Sequence, residues 1–187
     1  DGRPLLLRAL DALRGGGCTP LVVVLGAAAD QVAELLPADV RAVVAADWAE
    51  GMGASLRAGL DALARSAEAT ESPIAAESAA REPSAVLVHL VDLPGVGAAA
   101  IARLAEAAST GPEVLARASY RGVPGHPVLL GRSHWAGVRD SARGDAGARG
   151  YLAGHPALRL VECGDLADPR DVDTPAALWE FTERQTS

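Results

Sequence analysis

Lysine is missing from this 187-residue sequence: all 17 basic side chains are arginine. Chemistry that depends on a lysine must therefore use an arginine or a residue outside these 187. Aromatic side chains make up only 3%, so valine, leucine and alanine must fill the interior. So few aromatics argue against a stacking platform for nucleic acid. The two cysteines, Cys18 and Cys163, form no CxxC and have no metal-ligand spacing. A reduced, cytoplasmic protein is the simplest reading of them. No apolar stretch reaches the roughly 18 residues of a membrane span, and no signal peptide is visible. Positive charge is in deficit too, with 24 acidic against 17 basic residues and a net charge of −7. That balance argues against nucleic-acid partners and anionic membrane surfaces. Neither a Ser-His-Asp order, nor HExxH, nor a zinc spacing occurs, so hydrolase and zinc-enzyme readings lack support.

What is present suits one α/β domain over residues 1–187. The length allows a full core, and 49% apolar residues is ordinary for a globular chain. Short apolar runs at 20–25, 40–45 and 85–91 read as strands, the first of them buried on both faces. Helices are predicted at 4–13, 27–36 and 54–63, the first with Pro4 in its opening turn and Gly15-Gly16-Gly17 as its stop. Downstream, the pattern predicts a helix at 98–108 and two strands, 114–120 and 127–130, joined by a loop at 121–126. Mixed helix and loop follow over 133–154, then a strand at 158–163 and a helix at 175–184. This alternation predicts three layers and a mostly parallel sheet with late antiparallel strands. Residues 66–84, rich in alanine, glutamate and serine, read as a surface insertion without catalytic content.

Several short segments could carry chemistry. Asp92 ends the apolar run 85–91 and precedes Leu93-Pro94. Open α/β sheets bind ligands at that edge, and Mg²⁺ takes one or two carboxylates plus phosphate oxygens. An aspartate that merely starts a turn or caps the next helix fits the same position. Gly51-Met52-Gly53-Ala54-Ser55 precedes a helix, where glycines admit a flat ligand and free N–H groups attract anions. An ordinary loop with Ser55 near a cap fits equally. Gly125-His126-Pro127 marks a strand entry, where a histidine can be an acid-base group or a structural hydrogen-bonder. Gly144-Asp145-Ala146-Gly147-Ala148-Arg149 is a glycine-spaced turn, with Arg149 suited to phosphate or carboxylate. In Asp171-Val172-Asp173-Thr174-Pro175, Asp173 with Thr174 and Pro175 suits a helix cap, or adds a second carboxylate beside Asp92. Gly95-Val96-Gly97-Ala98-Ala99-Ala100 matches a dinucleotide fingerprint, yet Asp92 and Pro94 crowd its turn.

In this order the segments resemble the MobA-like nucleotidyltransferases, and within them the molybdenum cofactor cytidylyltransferase (MocA-type) branch. The resemblance covers almost the whole chain outside 66–84. It implies a Rossmann-like nucleotidyltransferase fold and transfer of a nucleoside monophosphate, CMP foremost, from an NTP to the phosphate of molybdopterin, releasing pyrophosphate. By that resemblance Asp92 and Asp173 are the catalytic metal ligands for Mg²⁺. Gly26, Gly51, Met52, Gly53 and Ser55 receive the nucleotide, and His126, Asp145 and Arg149 hold the pterin substrate. A molybdoenzyme or its chaperone becomes a further partner.

One departure stands out. The family opens with a strand and a glycine-rich phosphate loop, L-A-A-G-x-x-x-R-M-G, followed by a lysine; this sequence begins just after that point. The expectation is that those residues lie upstream of Asp1, because a missing first strand leaves a costly unpaired edge inside the sheet. The alternatives are a guanylyltransferase of the same family and a non-catalytic cofactor-binding module that lost the phosphate loop.

Overall fold

The computed structural model describes residues 2–68, 83–107 and 111–185. Helix α1 (Leu5–Gly15) starts behind Pro4, whose φ of −55° suits a helix entry. It ends at Gly16, where a side chain would collide with Ile101. Strand β1 (Leu21–Leu25) pairs in parallel with β2 (Val40–Val44), Leu21 opposite Val40. Only the ends of β1 are fully buried, which corrects the expectation of burial on both faces. Helix α2 (Ala29–Ala33) is shorter than the predicted 27–36. Ala28 takes a positive φ of 56°, and the N–H groups of Leu35 and Leu36 reach carbonyls three residues back. Both features stop an α-helix from extending.

A 3₁₀ turn, Trp48–Glu50, leads into α3 (Met52–Glu68), which starts earlier and runs longer than predicted. Residues 66–68 of the expected insertion belong to this helix, and 69–82 lie outside the described residues. Strands β3 (Ala85–Val88), β4 (Leu115–Tyr120), β5 (Val123–Gly131) and β6 (Arg159–Glu162) form a sheet in the order β3-β5-β4-β6. β5 is antiparallel to both neighbours and β4 is parallel to β6, so only β5 runs against the rest. The expected loop at 121–126 is a two-residue turn, Arg121-Gly122, with φ of 54° and 79°. Positive φ at both positions matches the twist of the flanking strands, so β5 begins at once.

Helices cover both faces, giving three α/β layers as predicted. On one side α3 and α5 (Arg132–Ser141) bury Leu60, Leu63, Trp135 and Val138 against Leu115 and Leu130. On the other, α4 (Ala98–Ala107) buries Leu104 against Val114, Ala116 and Leu129. α6 (Arg149–Leu152) and α7 (Pro175–Gln185) follow. Among the described residues no helix is long and apolar enough to cross a membrane.

The strands form two separate sheets, β1-β2 and the four-stranded one. Among the described residues, β1 pairs only with β2 and β3 only with β5, so each keeps one free edge. Helices span the break on both faces. Leu60 and Leu63 of α3 share a cluster with Val22 of β1 and with Val86 and Val88 of β3. Opposite them, Gly15 and Gly16 of α1 lie against Ala98 and Ile101 of α4.

Candidate active site

Asp92 sits four residues beyond β3 rather than at its last rung, in the turn that follows His89 and Leu90. The N–H of Val172 donates to its backbone carbonyl at 2.8 Å, which ties segment 171–173 to this turn. Its carboxylate Oδ1 is buried and has no hydrogen-bond partner. Burial pushes the Asp92 carboxyl above its ordinary range, and the charges of Asp173 and then Asp171 push it further. Asp92 does not cap α4: the carbonyl of Gly97 receives the N–H groups of Ala100 and Ile101. Nor is Asp173 the cap of α7. The Thr174 hydroxyl oxygen accepts from the N–H of Ala177 at 3.1 Å, with Pro175 as the first helical residue. The Asp173 carboxylate is thereby left for another role.

An unpartnered buried carboxylate oxygen facing two further negative charges is unfavourable unless a cation joins it. The hard-oxygen donor set fits Mg²⁺ or Mn²⁺, with substrate oxygens and water completing the shell. Among the described residues, no three His, Cys, Asp or Glu side chains gather as a metal cluster.

The predicted nucleotide segment is a helix start, not a loop: Met52, Gly53 and Ser55 all lie within α3. Gly51 alone has a conformation closed to side chains, with φ of 109°. A Cβ there would lie 2.5 Å from Asp145 Oδ1 and 2.6 Å from the Gly144 carbonyl carbon. Gly53 likewise lets the backbone of Ala142 and Arg143 approach, within 2.9–3.0 Å of where its Cβ would be. The fold thus joins Gly51 and Gly53 to the turn carrying Asp145. Gly26 has a different use, since a Cβ there would meet Trp48 at 2.9 Å. It seats the indole, which remains 46% exposed.

His126 lies inside β5, whose Gly125 and His126 carbonyls are both held. Tyr120 Oη donates to the His126 carbonyl at 2.5 Å, and Arg117 Nε donates to that of Gly125 at 2.8 Å. Burial lowers the His126 imidazole to about 4, helped by Arg117, His89 and Arg149 in that order. Burial takes His89 to about 4 as well, and its Nδ1 has no partner. The charge of Arg149 thus reaches His126, whereas Asp145 sits with Gly51. Sequence reasoning missed His89 and Arg117. The available signals were a histidine interrupting the apolar run 85–91, and an arginine in a strand of otherwise small or uncharged residues.

The dinucleotide fingerprint fails on packing. A side chain at Gly95 would collide with the Asp168 carbonyl, and the N–H of Asp168 donates to the Gly95 carbonyl at 3.2 Å. The space that a pyrophosphate would need holds the protein's own chain. Both cysteines are free thiols, and Cys163 is buried.

Known proteins share this layout. The chain is 34% identical over 191 residues to nicotine blue oxidoreductase from Paenarthrobacter nicotinovorans, a match covering 96% of this chain and 83% of that protein. A nucleotidyl transferase from Methanothermobacter superposes with a TM-score of 0.73 at 18% identity, covering 98% of this chain and 82% of that one. Rv0371c from Mycobacterium tuberculosis H37Rv, solved in complex with manganese, gives 0.67 at 22% identity, covering 96% and 85%. At these identities the two structures speak for the fold alone. The model of the MobA-like NTP transferase domain matches residues 1–159, the span that holds β1 to β5, Asp92 and the Gly51–Asp145 contact, and the chain belongs to that family.

Proposed function

We propose that this protein transfers a nucleoside monophosphate, CMP foremost, from an NTP to the phosphate of molybdopterin. The observation that carries the reading is Asp92, whose carboxylate Oδ1 is buried and unpartnered in the turn beyond β3, under the charges of Asp173 and Asp171. In the reaction an acceptor phosphate oxygen forms a bond to the α-phosphorus. The bond from that phosphorus to the bridging oxygen breaks, and pyrophosphate leaves with the electron pair. The attacking oxygen is already anionic, so no general base is needed and catalysis rests on position and charge. Asp92 and Asp173 would hold Mg²⁺, which when bound offsets the charge of the phosphates. The start of α3 at Gly51–Ser55 would receive the nucleotide, with Asp145 beside it.

The test is pyrophosphate release by the full-length protein with Mg²⁺, molybdopterin and each NTP in turn. Release with CTP alone supports the cytidylyl assignment, and release with GTP moves the reading to a guanylyltransferase. Silence with every nucleotide from folded protein leaves the non-catalytic cofactor-binding module. One observation favours a second reading: the relative at 34% identity is an oxidoreductase by name. Oxidation of a reduced nicotinamide by nicotine blue, without divalent metal, would establish it. The packed turn at Gly95 stands against the usual dinucleotide mode.

A further inference from the structure

Two guanidiniums and two imidazoles act on one another around β5: the charges of Arg117, His89 and Arg149 all reach His126, and His89 Nδ1 is buried without a partner. Arg117 is half-buried on β4, the strand between β5 and β6. It lies opposite Val128, which lies opposite Val88, so β4, β5 and β3 carry the three side by side. Cross-strand neighbours face one way, so Arg117 points toward the layer of α3 and α5, where Val88 and Val128 pack. Arg149 opens α6, whose Leu152 joins the same cluster. His126 precedes Val128 by two residues on β5, and His89 directly follows Val88.

The electrostatics agree with this placement. Burial lowers the Arg117 guanidinium, and the Arg149 charge lowers it further. Nε of Arg117 is occupied by the Gly125 carbonyl. Among the described residues neither Arg117 nor Arg149 makes an ion pair, and the terminal nitrogens of Arg117 hold nothing. A like charge near the half-buried Arg117 guanidinium costs free energy in the absence of a counter-charge. The imidazoles stay neutral at physiological pH, so each contributes a hydrogen bond rather than a charge. The cluster thus carries two positive charges and a set of N–H donors, which complements a dianion.

We propose that Arg117, Arg149, His89 and His126 form one pocket that grips the acceptor's phosphate monoester dianion. This assignment rests on the transferase reading and adds His89 and Arg117 to it. Arg117 offers two terminal nitrogens in a fixed fork that suits bidentate phosphate binding. His89 Nδ1 gains the partner it otherwise lacks. Separate cradles for nucleotide and acceptor keep two highly charged substrates from competing for one site.

The experiment titrates inorganic phosphate into full-length protein by calorimetry, with Mn²⁺-CTP binding measured on the same samples. Arg117→Gln and Arg149→Gln should each weaken phosphate by about ten- to a hundredfold, the effect of losing a charge-assisted hydrogen bond. Neither should change Mn²⁺-CTP affinity more than about twofold on this assignment. In turnover assays the same variants should raise the acceptor KM far more than they lower kcat. Arg149 is exposed on a short helix, so its variant stays informative even if Arg117→Gln fails to fold. Equal phosphate affinity in wild type and Arg149→Gln overturns the pocket, while intact Mn²⁺-CTP binding leaves the transferase reading standing. Equal losses of phosphate and nucleotide affinity overturn it too, because the guanidiniums would then serve the triphosphate. Arginine-dependent phosphate binding with no nucleotide binding upholds the anion pocket and overturns the transferase reading instead.

Discussion

Gly51→Ala should loosen the junction that joins the nucleotide segment to the Asp145 turn. Its φ of 109° and ψ of −174° lie in a region that residues with a side chain almost never occupy. Holding alanine there costs roughly 1–3 kcal/mol. The new methyl would also stand 2.5 Å from Asp145 Oδ1 and 2.6 Å from the Gly144 carbonyl carbon. Asp145 can rotate away, but the Gly144 backbone cannot yield without moving the turn. Such overpacking adds roughly another 1–3 kcal/mol. A domain of this size loses roughly 2–4 °C of thermal midpoint per kcal/mol, so calorimetry should show a fall of at least about 4 °C. Nucleotide affinity should fall with it, because α3 then starts in a different place. Gly97→Ala is the control: its Cβ would meet nothing within 4 Å and its φ is not positive. The reasoning fails if both variants melt with the wild type.

Three further outcomes follow from the same geometry. Asp92→Asn should raise the melting temperature in metal-free buffer, because burial and the charges of Asp173 and Asp171 disfavour the carboxylate. The same change should abolish stabilisation by Mg²⁺ or Mn²⁺ and cut turnover by orders of magnitude, about a hundredfold or more; near-normal turnover would remove Asp92 from the metal site. Glu162 accepts N–H groups from Gly122, Arg121 and Gly164 and the Ser119 hydroxyl, which hold its carboxyl down at about 2. A depressed native value means this stability is present above about 4.5 and is lost as pH falls toward about 2. Urea midpoints at pH 3 and pH 6 should differ less in Glu162→Gln than in the wild type. Gly95→Ala should destabilise by forcing Asp168 away, yet change no dinucleotide affinity; a selective loss of nicotinamide binding with normal stability would revive the fingerprint.

The parts of the fold read most easily from sequence were those whose apolar pattern is local. Runs such as Leu21–Leu25 and Val40–Val44 are strands, and the Pro4 and glycine boundaries of α1 fall where expected. The β4–β5 hairpin hid because its turn uses Arg121 rather than asparagine, and because Pro124, Gly125 and Pro127 in β5 look like loop residues. The start of α3 hid for a tertiary reason. Gly53 resembles a loop glycine, yet it serves the close approach of Ala142 and Arg143 from a distant part of the chain. The same division holds for the site. Asp92 and Asp173 stand in motifs that can be matched one at a time, whereas Arg117 and His89 gain significance only when β3, β4 and β5 pair. No spacing along the chain announces that Arg117 and Arg149 are neighbours.

The break between β1 and β3 divides the hydrogen-bond ladder into two blocks, and it should be visible as two levels of amide protection. Within each block the ladder couples neighbouring strands. Across the break, among the described residues, packing from α3, and from α1 against α4, carries cooperativity. Amides of β1 and β3 that point into the break can then exchange through local opening, while those facing β2 and β5 wait for larger unfolding events. A strand seated between them would pair on both sides at once and merge two melting units into one. The start of α3 and the side chains of β4 would then share one rigid frame.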